Sequence, residues 1–240
     1  MSDKRDCCLV LLVLNEIDGL RDCWDEIPVD DFREVVAVDG GSTDGTREFL
    51  SERNIPILDQ NIPGRGVAFR VAADASQAER MVFYSPDGNE DPADIARLDD
   101  LLLQGARLAI ASRFARDSVN EEDVGIFRPR SWVNQALTRI ANVCFNDSGL
   151  FVTDTINGFR AIRREDLLEL QTTVKRFPIE YQMSIRTMQR GWSIAELATI
   201  EGQRAGGESK ALSWPVGKDH LKVLFSEIHR SRWFRGDVRA

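Results

Sequence analysis

Residues 34–46 read Glu34-Val35-Val36-Ala37-Val38-Asp39-Gly40-Gly41-Ser42-Thr43-Asp44-Gly45-Thr46. The apolar run, rich in β-branched valine, predicts a short buried strand, Glu34–Asp39. It stops at a carboxylate, and two glycines follow that let backbone turn sharply or approach a ligand. Ser42 or Thr43 then suits a helix N-cap, and Asp44 suits the positive end of the helix dipole. A strand, a tight turn and a helix start in one run are the repeating unit of an α/β sheet.

The same order recurs on either side. Candidate strands are Cys7–Leu14, Ile55–Leu58, Met81–Tyr84 and Leu108–Ser112, with helical stretches between. In Pro92–Gln104, Ile95, Leu98, Leu101 and Leu102 share one face at helical spacing. Such a pattern implies a mostly parallel central sheet flanked by helices on both faces, with ligands beyond the carboxyl ends of its strands. Polar clusters stand at those ends: Asn15-Glu16, Asp39–Ser42, Ser85-Pro86-Asp87 and Arg113. They are expected to converge on one edge. Further on, Val133–Phe145 reads as an amphipathic helix, Gly158–Ile162 as a strand, Glu180–Arg190 as a helix, and Ser193–Leu197 as a strand. Gly202–Lys210 reads as a loop. A last amphipathic helix, Lys218–Arg230, places Leu221, Leu224, Phe225 and Ile228 on one side. The expected division is a domain over 1–216 and a basic amphipathic helix and tail over 217–240.

With 31 Lys and Arg against 39 Asp and Glu, the net charge is −8, which argues against a general nucleic-acid binder. Phosphate ligands stay open, since a metal ion and a few arginines create a local positive site. The cysteines Cys7, Cys8, Cys23 and Cys144 show no metal-ligand spacing, and adjacent Cys7 and Cys8 fall within an apolar strand. Reduced thiols and a cytoplasmic setting are expected. The apolar run Cys7–Leu14 is far below the ~20 residues a membrane span needs. No span is expected.

Two clusters carry chemistry. Asp39, at a strand end, can accept a hydrogen bond from a ring N–H of a nucleotide base; Ser42–Gly45 reads equally as ligand loop or as turn and cap. In Ser85-Pro86-Asp87-Gly88-Asn89-Glu90-Asp91-Pro92, Asp87 and Asn89 alternate and could offer two oxygens to one hard divalent cation. Asp91-Pro92 reads as a helix start and Glu90 as solvated.

These segments, with Gly64-Arg65-Gly66, Ala111-Ser112-Arg113-Phe114, Asp154-Thr155-Ile156-Asn157-Gly158-Phe159-Arg160 and Arg204-Ala205-Gly206-Gly207-Glu208-Ser209-Lys210, occur in one order over about residues 7–210. The chain thereby resembles a family 2 glycosyltransferase of the GT-A (Rossmann-like) type, most like the polyprenyl or dolichyl phosphate mannosyl- and glucosyltransferases. The resemblance implies an inverting, Mg2+- or Mn2+-dependent transfer of a sugar from a nucleotide diphosphate sugar such as GDP-mannose or a UDP-hexose to a polyprenyl phosphate. It implies nucleoside contacts at Asn15, Glu16 and Asp39, and donor contacts at Arg65, Ser85 and Pro86. Asp87 would hold the metal, with Asn89 where the family often has glutamine. Arg113 and Arg130 would stand near the acceptor phosphate, and Arg204 and Lys210 on donor or acceptor phosphates. Two departures stand out. Ser85 replaces the first carboxylate of an Asp-x-Asp motif, and Leu12-Val13-Leu14 replaces Pro-x-Tyr, which leaves the donor base open.

A phosphate acceptor needs no protein base, whereas a hydroxyl acceptor (polysaccharide or small molecule) would need one. Asp154 is the base candidate, and it reads equally as a structural carboxylate. The basic, aromatic tail from Lys218 suits either peripheral contact with a membrane face or a membrane subunit, or packing on the domain. Two further classes stay in view: a nucleotidyltransferase, disfavoured because no basic loop follows the first strand, and an impaired sugar-nucleotide-binding protein.

Overall fold

The computed structural model describes residues 4–119, 129–202 and 213–236. One sheet runs through it, built from β1 (Arg5–Val13), β2 (Phe32–Asp39), β3 (Ile57–Asp59), β4 (Arg80–Tyr84), β5 (Leu108–Ser112), β6 (Arg160–Arg163) and β7 (Ile194–Ala198). Their order is β3-β2-β1-β4-β6-β5-β7. The helices are α1 (Ile17–Cys23), α2 (Thr46–Glu52), α3 (Arg65–Ala75), α4 (Asp94–Leu103), α5 (Pro129–Phe145), α6 (Arg164–Glu169), α7 (Ile179–Gln189) and α8 (Ser213–Gly236).

Strand β1 explains the two layers. Alternate side chains of a strand leave opposite faces. Cys8, Val10 and Leu12 join one core with residues of α3, α5, α7 and α8, while Cys7, Leu9, Leu11 and Val13 join another with α1, α2 and α4. A strand covered on both sides must be apolar throughout, and Cys7–Val13 is buried throughout.

The mostly parallel expectation holds, with one reversal. Strand β6 runs antiparallel to both β4 and β5. Its amino end, preceded by Asp154–Gly158, therefore reaches the edge where the parallel strands end. It starts at Arg160, two residues later than expected; just before it Asn157 donates its side-chain amide to the Ala111 carbonyl at 2.6 Å.

Helix α8 packs on α5 and α7. Its buried face is His220, Val223, Leu224 and Glu227, whereas Leu221 and Phe225 are exposed. The expected apolar stripe is thus split. The cause is Glu227, which accepts from Gln182 at 2.7 Å and from Arg186 at 2.8 Å, both on α7, and so rotates the helix toward its polar partners. No helix among the described residues is long and apolar enough to cross a membrane.

Candidate active site at the strand ends

Along the edge, in sheet order, stand Asp39 after β2, Asn15-Glu16 after β1, Ser85–Asn89 after β4, Asp154–Gly158 before β6 and Arg113 after β5. Four strand spacings separate the first from the last, roughly 19 Å. An elongated ligand can lie across them.

At the β2 end, the loops after β1 and β2 are knitted together. The Asn15 N–H donates to Ser42 Oγ at 2.9 Å, the Thr43 N–H to Asn15 Oδ1 at 2.8 Å, the Glu16 N–H to Thr46 Oγ1 at 2.9 Å and the Ile17 N–H to Asp44 Oδ2 at 3.1 Å. Ser42 and Thr43 are therefore spent on the loop and cap no helix. Helix α2 opens after Gly45, which has φ 100°, and Asp44 accepts the Thr46 N–H at 3.0 Å. Buried Asp39 accepts from the Ser42 hydroxyl at 2.5 Å and from Arg47 Nη1 at 2.6 Å. Burial alone would raise its carboxyl; Ser42 and Arg47 outweigh that and hold it below the usual carboxylate range. The Arg47 partnership has no local sequence signal.

In the middle, the Gly19 face of α1 lies directly against Pro86 and Asp87. Asp87 and Asn89 are both buried, and Asn89 Oδ1 has no hydrogen-bond partner among the described residues. A buried amide oxygen left without a donor is costly in a finished fold and is what a hard cation would satisfy. The residues present fit such an ion. Among the described residues no group of three or more His, Cys, Asp or Glu is placed to hold a metal, so Asp87 and Asn89 would share it with diphosphate oxygens and water.

Glu90 is not solvated as expected. It is half-buried, and its carboxylate accepts the Ser85 N–H at 3.2 Å. Burial and then the Asp87 charge push its carboxyl up to about 8. A carboxyl thus returns beside the position where Ser85 removed one. The Ser85 hydroxyl accepts from Arg65 Nη1 at 3.1 Å, and Arg65 Nε pairs with Glu180 of α7. Gly158 admits this: a Cβ there would stand 2.1 Å from Arg65 Nη2. Glu180, 115 residues away in sequence, could not be found from the Gly64-Arg65-Gly66 run.

At the β5 end, Arg113 donates to Asp154 Oδ2 from Nε at 2.7 Å and to Oδ1 from Nη2 at 3.1 Å. Asp154 Oδ1 also accepts the N–H groups of Ile156 (3.1 Å) and Asn157 (3.0 Å), and Oδ2 that of Arg113 (3.3 Å). Burial would raise this carboxyl, but the Arg113 charge overrides it and holds it low; Asp154 in turn keeps Arg113 charged despite burial. Glu196 fixes the segment by accepting the N–H groups of Thr153 and Asp154. Arg160 lies wholly beneath, donating to the Asn157 and Glu180 carbonyls, and burial draws its guanidinium down to about 10. It supports the floor. Arg130 falls in the first turn of α5; its side chain, Arg204 and Lys210 lie outside the described residues.

Comparison with known proteins gives the family and the fold. The family model described as Glycosyl transferase family 2 matches residues 8–170. The chain is similar to the glycosyltransferase AglJ of Haloferax volcanii, 28% identical over 229 residues covering 93% of this chain and 71% of the relative. It is as similar to a dolichyl-phosphate hexose transferase of that organism, 28% identical over 228 residues, 92% of this chain and 95% of the relative. Among solved structures, a glucosyl-3-phosphoglycerate synthase of Mycobacterium tuberculosis, bound to Mn2+, UDP and glucosyl-3-phosphoglycerate, shares the fold with TM-score 0.70 at 23% identity, over 94% of this chain and 80% of that one.

Proposed function

Since the chain belongs to glycosyl transferase family 2, we propose that this glycosyltransferase moves a hexosyl unit, with inversion, from a nucleoside diphosphate sugar to a phosphate-bearing acceptor. The observation that carries the reading is the order along one edge: a buried carboxylate at Asp39, an orphaned oxygen at Asn89 beside Asp87, then a charged guanidinium at Arg113. Asp39 accepts from a ring N–H of the base, with Asn15 and Glu16 flanking the nucleoside. Arg65, Ser85 and Pro86 lie along the diphosphate. Asp87 and Asn89 would hold Mg2+ or Mn2+, which when bound offsets the charge gathering on the departing diphosphate. Arg113 orients the acceptor, with Arg130, Arg204 and Lys210 assigned to phosphates by the family pattern. Positioning alone supplies a large part of such a barrier.

The acceptor can carry its phosphate in two ways. In a polyprenyl phosphate, the phosphate oxygen is itself the nucleophile and needs no base; similarity to a dolichyl-phosphate hexose transferase supports that arm. In a small hydroxy acid phosphate, a hydroxyl attacks, and the fold shared with a glucosyl-3-phosphoglycerate synthase supports that arm. Asp154 is its base, and would first have to give up the donors that fill both its oxygens.

A thermal-shift screen of GDP-, UDP- and dTDP-hexoses with and without Mn2+ identifies the donor. That donor is then offered with polyprenyl phosphate, polyprenol and phosphoglyceric acid, and glycosylated product is read by mass spectrometry. Product from one phosphate-bearing acceptor, abolished by Asp87→Ala, is expected. Equal transfer to polyprenol, or an unaltered Asp87→Ala, overturns the reading.

A further inference from the structure

Helix α5 carries part of its polar side inward and part of its apolar side outward. Thr138 and Asn142 face the core, where Thr138 bonds Thr155 and Asn142 donates to the Val152 carbonyl. Outward stand Trp132, Val133, Ala136, Ile140 and Val143, with Arg139 among them. Val143 is 86% exposed. The loop that follows is built to continue this face. Asn146 donates to the Leu150 carbonyl at 2.8 Å and the Val152 N–H to Asn142 Oδ1 at 3.0 Å, which holds Leu150 (74% exposed) and Phe151 (57% exposed) outward. Neighbouring α8 adds exposed Leu221 and Phe225, with exposed Lys218 and Lys222 on the same helix. Single exposed apolar residues are ordinary, but a run along one helix and its loop marks a contact surface.

Charge selects the occupant. The chain holds 39 acidic residues, yet residues 129–145 contain Arg130 and Arg139 and neither Asp nor Glu, and the loop that follows adds a single acid, exposed Asp147. On α8, Asp219 is paired with Lys222 at 2.7 Å and Glu227 is buried against Arg186. With Arg139 on α5 and Lys218 on α8 set against Asp147, this is an apolar, weakly basic surface on an acidic protein, which matches an anionic lipid surface that draws Lys and Arg and takes up apolar side chains. A second copy would set this basic face against itself in a two-fold contact, like charge on like.

We propose that the outward face of α5, with Leu150, Phe151 and the exposed flank of α8, seats the protein on an anionic lipid surface. The seat is independent of which phosphate-bearing acceptor is used, and its test is separate from transfer.

The full chain is sedimented with vesicles of phosphatidylcholine alone and of phosphatidylcholine mixed with phosphatidylglycerol. Wild type is expected to pellet with the anionic vesicles only, less so as salt rises. The double variant Val143→Glu, Phe151→Glu, at two exposed sites, is expected to lower partitioning about tenfold or more, with its melting temperature and its transfer to a soluble acceptor unchanged. Leu103→Glu, an exposed apolar site on α4 in the opposite layer, serves as control and keeps wild-type partitioning. Failure of wild type to pellet, or equal pelleting of the double variant, overturns the proposal. So does a wild-type dimer in vesicle-free buffer that the double variant dissolves, which would assign the face to a second copy.

Discussion

Replacing Gly19 by alanine tests whether the Pro86–Asp87 segment must sit where α1 holds it. A Cβ built on Gly19 falls 2.3 Å from the Pro86 carbonyl oxygen and 2.7 Å from Asp87 Cα, where ordinary contact begins at 3.4 Å. The obstructing atoms are backbone, so no side chain can swing aside. Helix α1 and residues 86–87 must part by roughly 1 Å in a close-packed interior. A shift of that size at a positioning group costs about 100-fold in rate, or ~2.7 kcal/mol of barrier. The overpacking itself costs ~1–3 kcal/mol of stability, partly offset by alanine's better helix propensity of ~1 kcal/mol. The assay is Mn2+-dependent nucleotide release, as kcat/KM, beside a melting curve. The expected result is a fall of about two orders of magnitude in protein that remains folded at the assay temperature. Gly217→Ala on α8, where an added Cβ meets open space, should leave both readouts alone. If Gly19→Ala keeps kcat/KM within about threefold of wild type, Asp87 does not need its present position and the metal assignment loses its geometric support.

Glu90→Gln addresses the carboxyl raised from 4.5 to about 8. A carboxyl raised in the folded state lends stability below its ordinary value and loses it as pH rises through the folded one, so the variant should gain in melting temperature over wild type between 4.5 and about 8; a pH-independent difference refutes the shift. Arg186→Met leaves buried Glu227 with Gln182 and a longer contact to Arg230 at 3.6 Å, and a loss of up to ~3 kcal/mol is expected from urea midpoints at constant slope; a loss below about 1 kcal/mol would mean that α8 is not held by this pair. Asp154→Asn separates positioning from base catalysis. Loss of Arg113 orientation should raise KM for any phosphate-bearing acceptor, whereas a fall in kcat confined to hydroxyl acceptors would restore Asp154 as the base.

Why the strand ends were legible is a matter of range. Val35–Val38 followed by Asp39 announces a buried strand and its end within a few residues, and the parallel-sheet rule then sends each such end to one edge. Direction is not written that locally. Residues 160–163, Arg-Ala-Ile-Arg, are short enough to run either way, and only pairing with both β4 and β5 sets β6 antiparallel. Charge environment is less local still. Glu90 looked solvated because its neighbours in sequence are polar, yet burial and then nearby Asp87 raise its carboxyl, with Arg65 and Glu201 acting on it from two distant segments.

Helix α5 shows the same limit in another form. Periodicity over Val133–Phe145 states that an apolar stripe exists, and the usual inference is that the stripe faces the core. Here Leu137, Ala141 and Phe145 do face it, but so do Thr138 and Asn142, while Val133, Ile140 and Val143 stay outside. The polar pair goes inward because partners wait there: Thr155 for Thr138, and the Val152 backbone for Asn142. Those partners sit in the same stretch that carries Asp154 to the sheet edge. The bonds that place Asp154 beside Arg113 therefore also rotate α5, and the outward apolar face is a consequence of how the site is anchored. A substitution such as Asn142→Leu should then disturb both faces at once. It would free residues 150–152 and with them the approach to Asp154, coupling any seat on a lipid surface to the geometry of the Arg113–Asp154 pair.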